Sequence, residues 1–237
     1  MNTECQLTNK VIIYTVSDAD TTFFIDDDSR VYSRGFNLDF KLGYHTPNQN
    51  RRQRKKFRVI DELTGQGIIK IVTCLRFTVF LSSTGQVFKT TRVCPFIEAV
   101  PLENKIDDIG MCSFSATLWN KKGELLLLHR DGVFQFNIPF PTSSFSCGYD
   151  HGTVLDKNGN VWVWGSNSKG QLNFTGVFSD HYIHEPTMLP YMKNWKLQCS
   201  GYCTLLKNSQ TGIETTYGLP ARFEIVAWKI NKRKREF

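Results

Sequence analysis

The chain has 237 residues, 41% of them hydrophobic and 22% charged, enough to bury a sizeable core, which excludes a disulfide-stapled miniprotein and a fibrous repeat. Lys and Arg number 29 against 22 Asp and Glu, a net charge of +7, yet eleven of the cations fall in two short runs, Arg51–Arg58 and Lys229–Arg235. The other 18 face all 22 acidic residues, so the body of the chain is not a nucleic-acid binder by overall charge.

No apolar run reaches the roughly 18 residues that a membrane-spanning helix needs. Met1–Glu4 opens without the basic and then apolar pattern of a secretory leader. The expectation is therefore a protein kept in the reducing interior of a cell, with its seven cysteines as thiols and no membrane partner.

In chain order, Lys10 to Val16 reads as a strand. Thr22–Ile25, the acidic turn Asp26 to Ser29 and Val31–Gly35 then read as a hairpin with Ser29 in the place of a turn glycine. The polar stretch Thr46–Asn50 and the cluster Arg51, Arg52, Arg54, Lys55, Lys56 and Arg58 read as a loop. The same apolar, glycine, apolar grammar returns at Ile71–Cys74 with Phe77–Leu81, Gly85 and Val87–Phe88, and at Ile109–Cys112 with Ala116–Trp119, Gly123 and Leu125–Leu128. It returns again at Phe145–Leu155, Gly159 and Val161–Gly165, and at Leu197–Cys199 with Cys203–Leu206, Gly212 and Ile213–Tyr217. Phe223–Ile230 alternates as a strand does, and together with Lys10–Val16 is expected to complete one unit.

Cysteine to turn glycine spans 11 residues from Cys74 to Gly85, 11 from Cys112 to Gly123, 12 from Cys147 to Gly159 and 13 from Cys199 to Gly212. These near-equal intervals define an internal repeat. The turns lie 56, 38, 36 and 53 residues apart, and the two short intervals are expected to lack an outer strand or loop. A unit this small cannot bury both faces of its own sheet, so neighbours must stack. The expected fold is all-β and β-propeller-like, about five short or incomplete blades of antiparallel sheet, in one domain over residues 1–228 followed by a basic tail over 229–237.

Cys147-Gly148-Tyr149-Asp150-His151-Gly152 through Asn158-Gly159-Asn160 to Trp162-Val163-Trp164-Gly165-Ser166-Asn167-Ser168-Lys169-Gly170-Gln171-Leu172 resembles a full repeat of the regulator of chromosome condensation family. The residues that carry the resemblance are Gly148, His151, Gly159, Trp164, Gly165, Asn167, Gly170, Gln171 and Leu172, and Tyr32–Gly35, Asn37 and Leu42–Gly43 echo them. It implies a closed ring longer than 237 residues can supply. It casts His151 as a hydrogen-bonder between strands, and its founding activity is guanine-nucleotide exchange on a small GTPase.

Cys147 with His151, and Cys199 with Cys203, have spacings that zinc ligands also show, but cysteines recurring in one slot of a repeat are expected as small core residues, with no metal. His181–His184 is expected in a solvated loop. Trp162 and Trp164 share a face opposite Val161 and Val163, a packing pattern. No phosphate loop, nucleophile elbow or carboxylate pair emerges, so neither catalytic residues nor a cofactor are assigned.

Lys232, Arg233, Lys234 and Arg235 suit the acidic groove of a nuclear import receptor, and Arg51, Arg52, Arg54, Lys55, Lys56 and Arg58 suit an acidic protein surface. The cluster can also contact phosphates, so nucleic acid is a weaker candidate partner, but it is too short and lacks the aromatic interleaving for base-specific recognition. The expected function is a non-catalytic protein-interaction scaffold, nuclear or nucleocytoplasmic, with a small GTPase or an acidic nuclear protein as partner. The alternatives are an exchange factor or regulator for a small GTPase, and a chromatin-associated tether.

Overall fold

A computed structural model describes residues 11–45, 54–92, 96–112, 114–130, 132–136, 138, 141–172, 181–189, 192 and 195–219. These build five antiparallel sheets. The chain divides into two compact units, the first comprising residues 1–109, 114–120 and 128–133 and the second residues 110–113, 121–127 and 134–237. Among the described residues, no helix is long and apolar enough to cross a membrane.

The first unit contains a sheet of β1 (Ile12–Ser17), β2 (Thr21–Asp26), β3 (Val31–Gly35) and β4 (Arg54–Val59), hydrogen-bonded in chain order. Its second sheet runs β5 (Ile68–Thr73), β6 (Thr78–Ser82), β7 (Val87–Thr90) and β8 (Ile97–Ala99). Period-two alternation sends Phe23, Ile25 and Val31 of one sheet and Ile71 and Phe80 of the next into one core, with Phe23 edge-on to Phe80 at 6.0 Å. The middle strands are covered on both faces and therefore read as almost unbroken apolar runs; every residue of β6 is buried.

A third sheet, β9 (Asp108–Cys112), β10 (Ser115–Trp119), β11 (Leu125–His129) and β12 (Gly132–Gln135), contributes residues to both units. The second unit holds β13 (Thr142–Cys147), β14 (His151–Asp156), β15 (Val161–Ser166) and β16 (Tyr182–Met188), then a sheet of β17 (Trp195–Ser200), β18 (Tyr202–Asn208) and β19 (Glu214–Leu219). Val161, Val163, Leu172, Ile183 and Leu189 form a buried cluster within it.

Ser29, Gly85, Gly123, Gly159 and Gly212 all lie in the left-handed backbone region, at φ +59°, +85°, +98°, +81° and +71°, so the five expected turns stand where the repeat put them. Several expectations need correction. The second and third sheets keep their outer strands, β8 and β12, so of the two expected omissions, strand or loop, the short intervals reflect shorter connections. β1 is a strand as expected and pairs with β2, and the segment expected to complete one unit with it, Phe223–Ile230, lies outside the described residues. His181–His184 is largely strand, since β16 begins at Tyr182. Leu155, beside the turn, is half-buried.

Candidate functional site

Four of the hairpin turns are closed by a side-chain acceptor at the same position, buried in three of them. Asp156, 1% exposed, accepts hydrogen bonds from Asn158 N (2.8 Å), Asn160 N (2.9 Å), Asn160 Nδ2 (2.9 Å) and Trp162 Nε1 (3.0 Å). Asp26 repeats the same offsets, accepting from Asp28 N, Arg30 N and the Tyr32 hydroxyl at 3.0, 2.8 and 2.9 Å. Ser82 and Asn208 fill the position in the second and fifth sheets, receiving Gln86 N and Gln210 N. Burial alone would raise the Asp156 carboxyl, but the donors on Trp162 and Asn160 outweigh it and hold the group below the usual carboxylate range. Asp26, Asp27 and Asp28 bring three carboxylates close together, and the first of them is spent on its own turn.

The residues matching the family pattern converge on the fourth sheet and serve it structurally. His151, fully buried, places Nε2 2.9 Å from Thr204 Oγ1 of the neighbouring sheet and Nδ1 3.7 Å from Asp150 Oδ1. Burial depresses its pKa, so the ring is neutral in the fold at neutral pH. Asn167 Oδ1 accepts from Leu172 N at 2.9 Å, closing the loop in which Gly170 takes φ +73°. Gln171 donates to Asp150 Oδ1 at 3.2 Å, tying that loop to the turn before β14. Trp164 covers Gly152, where a Cβ would collide with its ring, and packs on Phe136 at 5.1 Å. Trp162, by contrast, is half-buried and anchored by its indole N–H to Asp156.

The first sheet carries the same loop in altered chemistry. Asn37 Oδ1 accepts from Leu42 N at 2.9 Å as Asn167 does from Leu172 N, but Phe40 holds the left-handed position at φ +60° where the later loop has glycine. Lys41 replaces Gln171 and ties back through an ion pair to Asp18 Oδ2 at 2.5 Å. Burial opposes ionisation of Asp18, and the Lys41 ammonium overcomes it, holding the carboxyl below its ordinary value.

The described cysteines are thiols, and the four expected in one slot of the repeat, Cys74, Cys112, Cys147 and Cys199, fall into two adjacent slots. Cys74 N donates to Phe77 O as Gly148 N donates to His151 O, so Cys74 stands at the position of Gly148 and Thr73 at that of Cys147. From the Gly148 position, Cys74 Sγ donates to Ser115 O at 3.2 Å and Cys112 Sγ to His151 O at 3.8 Å, each reaching the following sheet. Cys199 is packed against Thr153 and Thr204, and burial pushes its pKa up to about 12. Cys147 is half-buried, which corrects the expectation that it is shielded like the others; Cys5 lies outside the described residues. Native labelling with an alkylating reagent should modify Cys147 well before Cys74, Cys112 or Cys199. Fast reaction of Cys199 would contradict this placement.

The basic cluster is not wholly a loop: Arg54–Val59 is strand β4, the outermost strand of the first sheet. It pairs with β3 through Tyr32↔Val59, Ser33↔Arg58 and Gly35↔Arg54, with an irregularity between the last two pairs. Lys56 and Arg58 are exposed, and the Arg58 guanidinium lies 4.6 Å above the Tyr44 ring. Arg34 of β3, which sequence reasoning missed, lies 4.5 Å above the ring of Phe57. Arg51, Arg52 and the tail residues Lys232, Arg233, Lys234 and Arg235 lie outside the described residues.

Residues 143–171 match the family model "Regulator of chromosome condensation (RCC1) repeat". The fold is similar to human WBSCR16, with TM-score 0.63 and 17% identity over 81% of this chain and 56% of that one. It is also similar to yeast RCC1 (Prp20), solved bound to Kap60, with TM-score 0.72 and 16% identity over 87% of this chain and 56% of that one. Prp20p from Saccharomyces cerevisiae, whose binding properties to Gsp1p and histones were described with its structure, matches with TM-score 0.59 and 11% identity over 98% of this chain and 61% of that one. The chain thus spans a little over half the length of these proteins.

Fold and repeat together define an all-β, propeller-like protein, with five antiparallel sheets among the described residues. More narrowly, it carries an RCC1-type repeat centred on its fourth sheet.

Proposed function

We propose that the chain is a protein-interaction scaffold of RCC1-type repeats whose contact surface is the cationic outer strand of the first sheet. Arg51, Arg52, Arg54, Lys55, Lys56 and Arg58 supply the charge, and the partner presents an acidic protein surface. One observation carries the reading. The polar residues of the repeat, among them Asp26, Asp156, His151, Asn167 and Gln171, are committed to bonds that hold the sheets together, whereas Arg58 stacks on Tyr44 with no carboxylate partner among the described residues. Repeat folds commonly place recognition on such variable surface elements.

Nuclear residence belongs to the same proposal, with Lys232, Arg233, Lys234 and Arg235 as ligand for an import receptor. The likeness to yeast RCC1, solved with Kap60, supports that half of it. Replacing the four tail cations with Ala should move a tagged protein from nucleus to cytoplasm at an unchanged thermal midpoint. Replacing the six cations of the cluster with Gln should leave location alone and weaken capture of an acidic partner, with the difference shrinking as salt rises. If the tail variant stays nuclear while the cluster variant does not, the two roles are reversed. The resemblance also supports a second reading, exchange on a small GTPase, which faster release of a fluorescent guanine nucleotide from a purified GTPase would establish.

A further inference from the structure

The first sheet ends at β4, and the bonding of that strand fixes which of its backbone groups face outward. Ile60 N donates to Val31 O at 2.9 Å, so the two-residue alternation turns the backbone groups of Arg58 toward β3 as well. Those of Phe57 and Val59 turn away, and among the described residues no strand lies beyond β4. An open edge of this kind is a template for another extended segment.

Charge decides which segment it accepts. Arg34 reaches from β3 across the ring of Phe57, which brings its guanidinium to the outer strand on one face of the sheet. Phe57 is itself braced edge-on by Phe24 at 4.7 Å. Arg58 lies on Tyr44, a member of the core cluster packed on the other face. Two guanidinium groups are thus held against aromatic rings, one on each face of the same edge, and among the described residues neither has a carboxylate partner. A guanidinium stacked through its π face keeps its N–H edges available for bidentate contact with carboxylates. A second copy of the same cationic edge is repelled, whereas an acidic strand is attracted.

We propose that β4 accepts an extended acidic segment of a partner protein as an added strand, bonded to the outward backbone of Phe57 and Val59, with carboxylates at adjacent positions taken by Arg34 and Arg58. Successive side chains of an extended segment point to opposite faces, so two neighbouring Glu or Asp residues meet one arginine each. The inference rests on the interaction-scaffold reading above and refines it to one binding mode.

The probe is a ten-residue peptide with two adjacent glutamates flanked by valines and threonines, tested by fluorescence anisotropy on the full chain. It should bind, and hydrogen exchange should show new protection at the Phe57 and Val59 amides. The charge-preserving pair Arg34→Lys with Arg58→Lys should weaken binding at least fivefold, while Lys56→Gln should weaken it about twofold or less, as an exposed charge screened by salt does. A proline at the centre of the peptide should abolish binding, because it removes a ladder donor. Thermal midpoints equal to that of the parent chain establish that the variants fold.

Absence of peptide binding, or binding without protection at those amides, would overturn strand addition. Equal binding by the double lysine variant would overturn the role of the stacked guanidinium groups. A 20-nucleotide single strand that bound as tightly as the peptide, with the same dependence on both arginines, would overturn the acidic-peptide assignment. Each of these outcomes leaves the scaffold reading open, since that reading fails only if cluster charge proves irrelevant to capture of a folded partner.

Discussion

Gly165→Ala should destabilise the protein by more than about 3 kcal/mol, beyond the range of ordinary surface changes. Gly165 holds φ +96°, where an L side chain is strained, and an added Cβ would collide with the carbonyl oxygen of Asp150 and approach His151 Cα to 2.7 Å. The neighbours cannot withdraw easily, because Ser166 N donates to that same carbonyl at 2.7 Å and His151 is paired with Gly165 across the ladder. Gly35 repeats the arrangement in the first sheet against Asp20 and Thr21, and Gly218 repeats it in the fifth against Tyr202. Gly159→Ala supplies the control: it also has positive φ, but nothing lies within 4 Å of its added Cβ, so its cost should be about 1 kcal/mol. Equal denaturant midpoints for the two variants would show that close approach to the preceding turn does not matter.

Asp156→Ala should cost about 2 to 4 kcal/mol, because it strands the donors of Asn158, Asn160 and Trp162 at a buried turn. The same residue shapes the acid limb of stability. Its folded pKa is depressed, so its contribution is complete above the unfolded value near 3.8 and is lost as pH falls through the folded value. His151 acts at higher pH: its folded pKa lies below the unfolded 6.5, so protonation of the unfolded chain erodes stability once pH drops under that value. Chemical denaturation from pH 8 to 3 should show both losses in the parent chain. In Asp156→Ala the loss below pH 4 should be shallower and the loss beginning near 6.5 unchanged. An identical profile at low pH would show that Asp156 does not set the acid limit of stability.

The middle strands and their turns were legible because two periodicities coincide there. Phe23, Ile25, Phe80, Val161 and Val163 alternate inward, and each turn needs a residue tolerant of positive φ. The outer strands were not legible. Three residues, Ile97–Ala99, are too few for a pattern, and Arg54–Val59 reads as a charged loop because an edge strand need not bury alternate side chains. The cysteine register slipped by one for a related reason: counting to a glycine cannot tell which of two adjacent slots a cysteine fills, and only the bond from Cys74 N to Phe77 O decides it. At the candidate site, the cations of β4 were visible as charge, but Arg34 was not. It is remote in sequence from the cluster, and only the pairing of β3 with β4 brings it over Phe57. Lys41 and Phe40 escaped notice as copies of Gln171 and Gly170 because the fold keeps the geometry of that loop while changing its chemistry.

In the proposed division, polar residues of the repeat build the sheets while the cations around β4 bind. Capture of an acidic partner from nuclear extract, identified by mass spectrometry, should therefore differ between the full chain and a variant bearing Arg34→Gln, Lys56→Gln and Arg58→Gln. The variant should keep the parent thermal midpoint, since all three residues are exposed, and lose at least four-fifths of the captured partner at 150 mM salt, as about a tenfold weakening would produce. Undiminished capture by a folded variant would contradict this division and place the binding surface elsewhere on the molecule.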